Sequence, residues 1–399
     1  MLDVSNLKKI TEKNKTVLIR LDLNVPLNSI DDYISDRIIR IKKPILNLLN
    51  GNNKVIILSH LGRPKGKIRD ELSLQQVVPQ LEKVLEKKIN FLPDCIGNEI
   101  KDKINSLEYG TVILLENCRF YKEEEENDHD FAKKLSELAD VYINDAFACA
   151  HRAHASIEAI SHFMPSYCGD LLEEEIINLQ EVIHEPLGPA LTIIGGSKIS
   201  TKITVLKNLS KKMDTIVIAG GMANNFLKYH GYNIQKSLHE ENVDHLIPEI
   251  LDFSAKNNCR LVLPIDVVTA DKISDKADTK ESDIDNIEKQ NMILDIGKNT
   301  LELIKNEISK SKTVFWNGPL GVFETSPFDR GTVEIAKFIS NLTANNKIRS
   351  FAGGGDTISA LDLARVKDKF SYVSTGGGAL LELIEGKKLP GLVALGILK

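Results

Sequence analysis

Arginine and histidine side chains follow several apolar, strand-like runs in the first half of the chain. His60 and Arg63 come after the run at residues 55–58, and Arg119 and Arg152 follow two later runs. In open α/β sheets, ligands bind beyond the carboxyl ends of the strands. Guanidinium groups at that edge suit a small anion, because they can hold it by paired, charge-assisted hydrogen bonds. The first half therefore predicts a site for a small anionic ligand.

Polar residues follow the first such run as well. Asp22 and Asn24 lie two positions apart, so their side chains would share a face of an extended strand. Because a carboxylate repels an anion, they would hold ligand hydroxyls or orient arginines. Arg37 follows after a short loop and is expected at the same edge. A single arginine is more typical of a surface salt bridge, but four of the seven arginines in this half lie near strand ends, which favours a shared ligand.

Glycines mark the ends of the strand-like runs in the second half. Of the 25 glycines, 20 lie at or after residue 169. They end four runs, at residues 195–196, 220–221, 353–355 and 376–378. Bare backbone N–H groups at the start of a helix bind phosphate groups. The second half is therefore predicted to bind a nucleotide.

Charged residues accompany these glycines. Lys198 and Lys202 are four apart and are predicted to lie on one face of a helix that begins after Gly195. Two ammonium groups there would clamp phosphate oxygens. Asp356 follows the third glycine run and suits Mg²⁺, which binds one or two protein carboxylates together with phosphates. Glu324 is expected to accept hydrogen bonds from ribose hydroxyls.

Two phosphate-binding patterns are missing from the sequence. Neither GxxxxGK[ST] nor GxGxxG occurs, which argues against a P-loop NTPase and against a dinucleotide-binding dehydrogenase. An NAD-dependent two-domain oxidoreductase and a non-catalytic anion-binding protein remain as alternatives. The second alternative gives no reason for Lys198, Lys202 and Asp356 to be present.

Length and composition indicate the architecture that positions these residues. At 399 residues, with 42% hydrophobic and 27% charged residues, the chain is typical of a two-domain globular enzyme. Apolar runs alternate with helical patterns, as in βαβ units with a mainly parallel sheet. Residues 171–184 have a helical pattern that residues 185–189 break, so we expect a helix that joins two domains. The acidic run at residues 123–126 is expected to be solvated.

The remaining features concern partners and location. The net charge of −5 argues against a general nucleic-acid binder. The five cysteines are odd in number and form no CxxC pair, which favours a reducing compartment. The N-terminus lacks a secretory-signal pattern, and no apolar run approaches the roughly 18 residues that span a bilayer. These features predict a cytoplasmic protein without a membrane or nucleic-acid partner.

Together these motifs resemble those of the phosphoglycerate kinases, and the resemblance covers essentially the whole chain. The motifs that carry it are residues 20–26 (RLDLNVP), 59–64 (SHLGRP), 144–147 (NDAF), 151–154 (HRAH), 195–198 (GGSK), 316–319 (WNGP), 353–357 (GGGDT) and 376–378 (GGG). Each is moderately specific, but their joint occurrence in this order is very specific. Three positions depart from the family. Thr201 replaces a common Asp and is expected to tune nucleotide or Mg²⁺ affinity. Ala148 and Cys149 replace a common Gly-Thr pair and are expected to affect packing alone.

The resemblance implies a set of site residues. The 3-phosphoglycerate site would comprise Asp22, Leu23, Asn24, Arg37, His60, Leu61, Gly62, Arg63, Arg119 and Arg152. The nucleotide site would comprise Gly195, Lys198, Lys202, Gly220, Gly221, Asn317, Glu324, Gly353, Gly354, Gly355, Asp356 and Thr357. Asp356 would be the metal ligand. The groups that stabilise the moving phosphoryl group would be Arg37, Lys198, Lys202 and the amides of Gly354 and Gly377.

The resemblance also implies a fold and a reaction. Two Rossmann-like domains, each a mainly parallel sheet with helices on both faces, would be joined by a long helix. Residues 1–170, with residues 386–399 packed back on them, would bind 3-phosphoglycerate. Residues 171–187 would lead to residues 188–385, which would bind the Mg²⁺-nucleotide. The reaction would be reversible phosphoryl transfer from 1,3-bisphosphoglycerate to MgADP, giving 3-phosphoglycerate and MgATP, in a monomer whose domains close for in-line transfer.

Overall fold

The computed structural model describes residues 2–4, 7–26 and 34–398, and it divides the chain into two compact units. Unit 1 consists of residues 1–177 and 387–399, and unit 2 consists of residues 178–386. Each unit contains one six-stranded sheet. The division after residue 177 falls inside the segment 171–187 that was predicted to join the two domains.

The sheet of unit 1 is built from short apolar runs. Its strands are β1 (Thr16–Arg20), β2 (Lys54–Leu58), β3 (Ile89–Leu92), β4 (Val112–Leu115), β5 (Val141–Asn144) and β6 (Ser166–Cys168). All neighbouring strands are parallel, and their order is β3-β4-β2-β1-β5-β6. The direction of strand addition reverses between β1 and β5, and such a reversal is where open α/β sheets bind ligands.

Apolar side chains cover both faces of this sheet. In β1, Val17 and Ile19 belong to one core cluster, whereas Leu18 belongs to another. Successive strand residues point to opposite faces, so both faces are packed against other elements. This two-sided burial explains why the strands read as continuous apolar runs rather than as alternating ones.

The helices of unit 1 are short and amphipathic. They begin with α1 (Asp36–Arg40), α2 (Lys42–Asn50), α3 (Val78–Leu85), α4 (Asn98–Ser106), α5 (Lys122–Glu125) and α6 (His129–Ser136). Helices α1 to α3 contribute to the first core cluster, and α4 and α6 contribute to the second. Two 3₁₀ helices, Cys118–Phe120 and Phe147–Cys149, follow β4 and β5 and carry the loops that matter for the site.

The joining helix is not uniform. Helix α7 (Asp170–Leu179) is α-helical, and a π-helical turn, Gln180–His184, follows it directly. The sequence predicted one continuous helix over this span. A π-helical turn adds a residue to each hydrogen-bonded ring, and such turns are often found at functional positions.

The main sheet of unit 2 has the Rossmann strand order. Its strands are β7 (Ala190–Ile194), β8 (Thr215–Ile218), β9 (Arg260–Val262), β13 (Thr313–Asn317), β14 (Arg349–Gly353) and β15 (Tyr372–Ser374). The parallel order is β15-β14-β13-β7-β8-β9, which is 6-5-4-1-2-3 in chain order. The strand-order reversal between β7 and β13 again marks the expected ligand position. A separate antiparallel sheet, ordered β11-β10-β12, contains β10 (Asp266–Ala270), β11 (Lys280–Asp283) and β12 (Met292–Ile296).

Helices pack around this second sheet. They are α8 (Ile203–Ser210), α9 (Gly221–Tyr229), α10 (Leu246–Lys256), α11 (Lys298–Lys310), α12 (Arg330–Ala344), α13 (Gly355–Leu363) and α14 (Gly378–Ile384). Helices α11 and α12 share a core cluster with β7 and β13, and α8 contacts β8, α10 and α14. The protein is thus a two-domain α/β structure with two mainly parallel sheets, as predicted.

The last segment of the chain belongs to unit 1. Helix α15 (Pro390–Ala394) begins there, and the Gly391 N–H donates to the Ala150 carbonyl at 2.9 Å. The Asp3 N–H donates to the Ile397 carbonyl at 2.8 Å, so both ends of the described chain lie together in this unit. All five cysteines are free and buried. Within the described ranges, no helix combines the length and apolar character needed to cross a membrane.

Candidate active site

The loops after β1 and β2 are tied together by Arg37 and Asn24. Arg37 Nη1 lies 2.8 Å from Asp22 Oδ2 and donates to the Asn24 carbonyl at 2.9 Å. Asn24 Oδ1 accepts the Gly62 N–H at 2.9 Å. Asp22 therefore orients an arginine, which is one of the two roles expected from the sequence, and the arginine reaches the same strand edge from α1.

The buried Arg119 is braced by the main chain of the same loop. Its Nη1 donates to the Gly62 carbonyl at 3.0 Å, whereas its buried Nε has no hydrogen-bond partner among the described residues. Glu125 lies 3.6 Å from that Nε. Arg152 donates from Nε to His151 Nε2 at 3.2 Å. A buried donor without an acceptor is costly unless a ligand satisfies it.

The other residues predicted for this site differ in their surroundings. The Leu23 N–H donates to Ser59 Oγ at 3.0 Å, and the Leu61 carbonyl accepts from Asn117 Nδ2 at 2.8 Å. Both leucines therefore hold the loops together by main-chain hydrogen bonds. Arg63 is exposed. Its guanidinium makes no hydrogen bond or salt bridge within the described part of the chain, which leaves it open to a ligand.

Two histidines of unit 1, His60 and His154, lie close to several arginines. Burial, followed by Arg20 and Arg119, holds the pKa of His60 well below its usual range. Burial and the same two arginines lower the pKa of His154 to about 3. Both rings are therefore neutral at physiological pH, and His154 forms no ion pair with Glu124 although Nδ1 lies 3.8 Å from Oε1. The positive charge of the site comes from its guanidinium groups.

Three side chains of metal-binding types also meet here. Among the described residues, ligand atoms of Asp22, His60 and Cys149 lie within 4.8 Å of one another. Arg37 is already paired with Asp22, and Arg20 Nη2 lies 3.0 Å from His60 Nδ1 and 3.8 Å from Cys149 Sγ. These cations would repel a metal ion, so the arrangement favours an anion. Cys149, expected to affect packing alone, also makes this polar contact.

In unit 2, the loops after β7 and β13 cross at van der Waals distance. The Gly195 N–H donates to the Asn317 carbonyl at 2.9 Å. A side chain at Gly195 would overlap the Pro319 carbonyl, and one at Gly318, where φ is +96°, would overlap the Gly195 backbone. Glycine is required at both positions because two main chains pass there.

Asn317 links three of the predicted nucleotide-binding segments. It accepts a hydrogen bond from Lys202 Nζ at 2.6 Å and donates to the Gly353 carbonyl at 2.7 Å. Burial lowers the pKa of Lys202. The prediction that Lys198 and Lys202 lie on one face of a helix is wrong: α8 begins only at Ile203, Lys202 lies in the turn before it, and Lys198 lies in the loop that precedes this turn. The turn brings Lys202 inward and leaves Lys198 exposed.

Three helices of unit 2 begin directly after a glycine in the left-handed region. Gly220 has φ +66° before α9, Gly354 has φ +98° before α13, and Gly377 has φ +52° before α14. The first N–H groups of a helix have no partner within the helix, and its dipole favours a negative charge there. The glycine runs therefore lie at helix starts, whose N–H groups suit phosphate oxygens.

Two cavities adjoin the starts of α9 and α13. One, of about 300 Å³, is bordered by Gly195, Lys198, Lys202, Asn317, Gly354, Gly355, Asp356 and Thr357, among others. The second, of about 360 Å³, is bordered by Gly220, Gly221, Glu324 and Asp356, with a largely apolar remainder. Gly196, Ser197 and Asp356 border both. Two of the predicted residues, Gly353 and Gly377, line neither cavity. Gly353 instead accepts the hydrogen bond from Asn317, and Gly377 begins α14.

Asp356 fits a magnesium ligand by position and by availability. It is exposed in the first turn of α13, borders both cavities and makes no hydrogen bond or salt bridge to another described residue. One free carboxylate beside a cavity that suits phosphate groups matches the way proteins hold Mg²⁺. Asp266, another acid of this unit, is unsuitable, because its carboxylate accepts the Asn299 and Thr300 N–H groups at the start of α11.

Comparison with known proteins identifies the family. The family profile described as phosphoglycerate kinase matches residues 7–387. A phosphoglycerate kinase of Wolbachia pipientis subsp. Culex pipiens (strain wPip) is 46% identical, with 98% of this chain and 99% of that protein covered. One of Chelativorans sp. (strain BNC1) is 45% identical, with 96% of each chain covered.

This chain belongs to the phosphoglycerate kinase family. The structure of phosphoglycerate kinase from Coxiella burnetii resembles it with a TM-score of 0.88 and 39% identity, covering 97% of each chain. The structure of the Pyrococcus horikoshii OT3 enzyme has a TM-score of 0.78 and 30% identity, covering 100% of this chain and 99% of that one.

Membership of the phosphoglycerate kinase family fixes the reaction. The enzyme transfers a phosphoryl group reversibly between 1,3-bisphosphoglycerate and ADP, giving 3-phosphoglycerate and ATP in glycolysis. It is a phosphotransferase with a carboxyl group as acceptor. The two alternatives, an NAD-dependent oxidoreductase and a non-catalytic anion-binding protein, are not supported by any of the relatives described above.

For a phosphoglycerate kinase, the structure adds residues that the sequence did not single out. The second cavity is bordered by apolar side chains from separate segments, including Leu238, Met292 and Val322. Apolar residues scattered over the sequence carry no local signal of a pocket. Arg20 is different: a charged residue at the end of an apolar strand is a signal, and the structure buries it beside His60.

Proposed function

We propose that unit 1 binds 3-phosphoglycerate and 1,3-bisphosphoglycerate, and that unit 2 binds ADP and ATP with Mg²⁺. The guanidinium donors of unit 1 that lack an acceptor carry the first assignment. Arg119 has a buried donor without an acceptor, Arg63 is exposed without a partner, and His60 adds no charge. Such a set of donors suits phosphate and carboxylate oxygens. Asp22, Asn24, Arg37, Arg152 and the loop at Leu23, Leu61 and Gly62 complete the proposed site.

The assignment of the nucleotide rests on the adjoining cavities of unit 2. The cavity lined by Lys198, Lys202 and the start of α13 suits phosphate groups, because it combines ammonium groups with bare backbone amides. The apolar cavity beside it suits a nucleobase, with Glu324 available for ribose hydroxyls. Gly195, Gly220, Gly221, Asn317, Gly353, Gly355 and Thr357 shape the walls that the nucleotide would contact. Asp356 would hold Mg²⁺, which supplies positive charge to the phosphate oxygens when bound.

No general base is needed in this chemistry. The acceptor of the reverse reaction is a carboxylate, whose reference pKa of about 4 leaves it ionised at neutral pH. Catalysis is then positioning and neutralisation of charge on the moving phosphoryl group. We assign that role to Arg37, Lys198, Lys202 and the amides of Gly354 and Gly377. Each donates N–H groups and keeps its charge or dipole fixed while the phosphoryl group moves.

Transfer requires direct contact between the bound donor and the acceptor. Since the two ligands are assigned to different units, we propose that the units close when both are bound. Small-angle scattering should give a smaller radius of gyration with 3-phosphoglycerate and a non-hydrolysable MgATP analogue than with neither. An unchanged radius would contradict closure.

The two-site assignment is tested by calorimetry on arginine variants. Arg119→Ala and Arg63→Ala should weaken 3-phosphoglycerate binding roughly tenfold to a hundredfold, as expected for loss of a hydrogen bond to a charged group. MgADP binding should stay nearly unchanged. The matched control is Arg69→Ala, because Arg69 is an exposed arginine of unit 1 that pairs with Glu71. Equal losses for both ligands would reject the assignment.

The magnesium assignment is tested by titration. Asp356→Asn should raise the Mg²⁺ concentration needed for half-maximal activity, because it removes the free carboxylate at the phosphate cavity. Asp362→Asn, at the other end of α13, is the control, since Asp362 lies 3.6 Å from Lys367. An unchanged titration for Asp356→Asn would assign the ion to another group.

A monomeric state and a cytoplasmic location are further expectations of glycolytic enzymes of this family. Light scattering of the purified protein and fractionation of the source cells would test them. A stable dimer or a membrane-associated fraction would contradict them.

A further inference from the structure

Glu124 is a fully buried carboxylate inside the acidic run at residues 123–126. The run was predicted to be solvated, but Glu124 is buried whereas its three neighbours are at least partly exposed. Its two oxygens accept from the same residue: Oε1 from the Ser156 hydroxyl at 2.6 Å and Oε2 from the Ser156 N–H at 2.9 Å. Because Ser156 donates its hydroxyl proton to Glu124, its lone pairs are free to accept.

Arg20 fills that acceptor position. Its Nε donates to Ser156 Oγ at 3.0 Å, and its Nη1 donates to the Leu21 carbonyl. Its Nη2 lies 3.0 Å from His60 Nδ1. All three guanidinium nitrogens thus have protein partners, and the side chain is fully buried. Arg20 is therefore fixed in place and is not a ligand contact itself.

The direction of the last hydrogen bond follows from the chemistry of arginine. A guanidinium only donates, so His60 Nδ1 must accept. In a neutral imidazole the single proton is then on Nε2. His60 Nε2 makes no hydrogen bond within the described part of the chain, so its N–H is left for a ligand.

We propose that the chain Glu124–Ser156–Arg20 holds His60 as its Nε2–H tautomer, so that the site offers a neutral donor to an anionic ligand. Arg20, Ser156 and Glu124 are positioning residues that act through His60. The neutrality of His60 agrees with its surroundings, since burial and then Arg20, Arg119, His154 and Arg152 lower its pKa. The function of this donor in phosphoglycerate binding rests on the proposed assignment of that ligand to unit 1, whereas the tautomer itself does not.

A fixed tautomer matters because the alternative would oppose binding. With its proton on Nδ1, His60 would clash with the Arg20 donor and would direct a lone pair at the ligand. An acceptor facing a phosphate or carboxylate oxygen repels it. A neutral donor, in contrast, adds a hydrogen bond without adding another cation beside Arg20 and Arg119.

The tautomer is measured directly by NMR. Long-range ¹H–¹⁵N spectra of the full-length enzyme with ¹⁵N-labelled histidine distinguish a protonated ring nitrogen from an unprotonated one. His60→Gln assigns the His60 signals by their loss. We expect the wild type near pH 7 to show protonation on Nε2 and a lone pair on Nδ1. The opposite pattern would overturn the proposal, whatever the variants do.

Ser156→Ala tests the chain behind the histidine. It removes the acceptor of Arg20 Nε and should give a mixture of His60 tautomers and a KM for 3-phosphoglycerate that is roughly tenfold to a hundredfold higher, with kcat changed much less. The matched control is Ser161→Ala, since the Ser161 hydroxyl donates to the Glu158 carbonyl elsewhere in the unit. An unchanged His60 spectrum in a folded Ser156→Ala enzyme would show that the chain Glu124–Ser156–Arg20 does not set the tautomer of His60. If that variant does not fold, the wild-type spectrum still decides the tautomer.

A titration separates this inference from the proposed function. Addition of 3-phosphoglycerate to the wild type should shift the His60 Nε2 signal and leave Nδ1 nearly unchanged, because only Nε2 would meet the ligand. A ligand that binds without moving either signal would contradict the assignment of phosphoglycerate to this site. The tautomer observed without ligand would be unaffected by that result.

Discussion

The candidate sites of the two units are built from different parts of the chain. In unit 1 the candidate site consists of charged side chains, and loop carbonyls such as Asn24 O and Gly62 O brace the arginines. In unit 2 it consists largely of main chain, because α9 and α13 begin beside the cavities directly after glycines. In unit 1 the side chains supply the charge. In unit 2 the absence of side chains at the glycines leaves the backbone N–H groups accessible to a ligand.

This difference predicts two kinds of sensitivity. A side-chain site loses one contact at a time, so a substitution should change affinity or rate and leave the fold intact. A main-chain site depends on the crossing of loops, so a substitution at Gly195 should damage the structure before it affects the ligand. The exceptions within unit 2 are glycines whose missing side chain faces only the cavity.

The largest effect is expected for Arg37→Ala in unit 1. Loss of one fixed donor to the moving phosphoryl group costs about 3–4 kcal/mol, by analogy with oxyanion-hole donors, and should lower kcat roughly 100- to 1000-fold. Thermal unfolding should change little, since Arg37 is partly exposed and bonds to Asp22 and Asn24 at the surface. Steady-state kinetics provide the check. A change confined to KM would show that Arg37 only holds the ground-state substrate.

Gly195→Ala and Gly355→Ala should separate the two uses of glycine in unit 2. A methyl group at Gly195 overlaps the Pro319 carbonyl, so that variant should lose about 1–3 kcal/mol of unfolding free energy or more. A methyl group at Gly355 meets no atom within 4 Å and points into free space beside the phosphate cavity. That variant should keep its stability but bind MgADP more weakly.

Fluorescence of Trp316, the single tryptophan, provides the stability measurement, because this residue is fully buried in the core of unit 2. Calorimetry provides the MgADP affinity. If Gly355→Ala binds MgADP as tightly as the wild type, the start of α13 does not receive phosphate. If Gly195→Ala is as stable as the wild type, the loop crossing is more adaptable than its geometry indicates.

A smaller effect, on the pH dependence of stability, is expected from two buried aspartates. One lies in each unit, and each accepts a hydrogen bond from an N–H group near the start of a helix. Asp145 accepts the Leu172 N–H of α7 at 2.8 Å, and Asp295 accepts the Gly331 N–H of α12 at 2.7 Å. Burial is the main cause that raises the pKa of each to about 7. In the unfolded chain each would ionise near pH 4, so the folded state binds more protons between about pH 4 and pH 7 and loses stability as the pH rises through that window.

Asp145→Asn and Asp295→Asn should remove this pH dependence, each in its own unit. Relative to the wild type, each variant should gain about 1 kcal/mol of unfolding free energy between pH 5 and pH 6. Circular dichroism can follow Asp145→Asn, and Trp316 fluorescence can follow Asp295→Asn. Both Asp295 oxygens accept N–H groups, so its variant should start from a lower stability. Parallel pH curves for variant and wild type would show that the aspartate is already ionised in the folded state.

The sequence predicted the architecture because its signals are local. Apolar strand runs, glycine turns and strand-end arginines each occupy a few adjacent residues, and the rule that ligands bind at strand ends converts them into a site. That rule places Arg37 near Asp22, and Asn317 near Lys202, at the ends of the strands. The rule gave their neighbourhood but not their partners, since partners depend on loop conformations.

Other features lay beyond local patterns. The burial of Glu124 depends on Ser156 and Arg20, which are far from it in the sequence, so its acidic neighbours predicted exposure instead. The two lysines of unit 2 were placed on a helix because their spacing fits one, but α8 begins after Lys202. The π-helical turn at Gln180–His184 has the same side-chain pattern as an ordinary helix at this length, so periodicity alone could not distinguish them.

The return of the last residues to unit 1 has a consequence for biosynthesis. Residues 387–399 belong to a unit whose other residues precede position 178, and the Gly391 N–H bonds to the Ala150 carbonyl. During translation, unit 2 is complete before the ribosome has released the segment that finishes unit 1. The nascent chain therefore has a finished second domain while the first still lacks its closing piece, and a chain that stops short of residue 387 would leave the core around Ala150 uncovered.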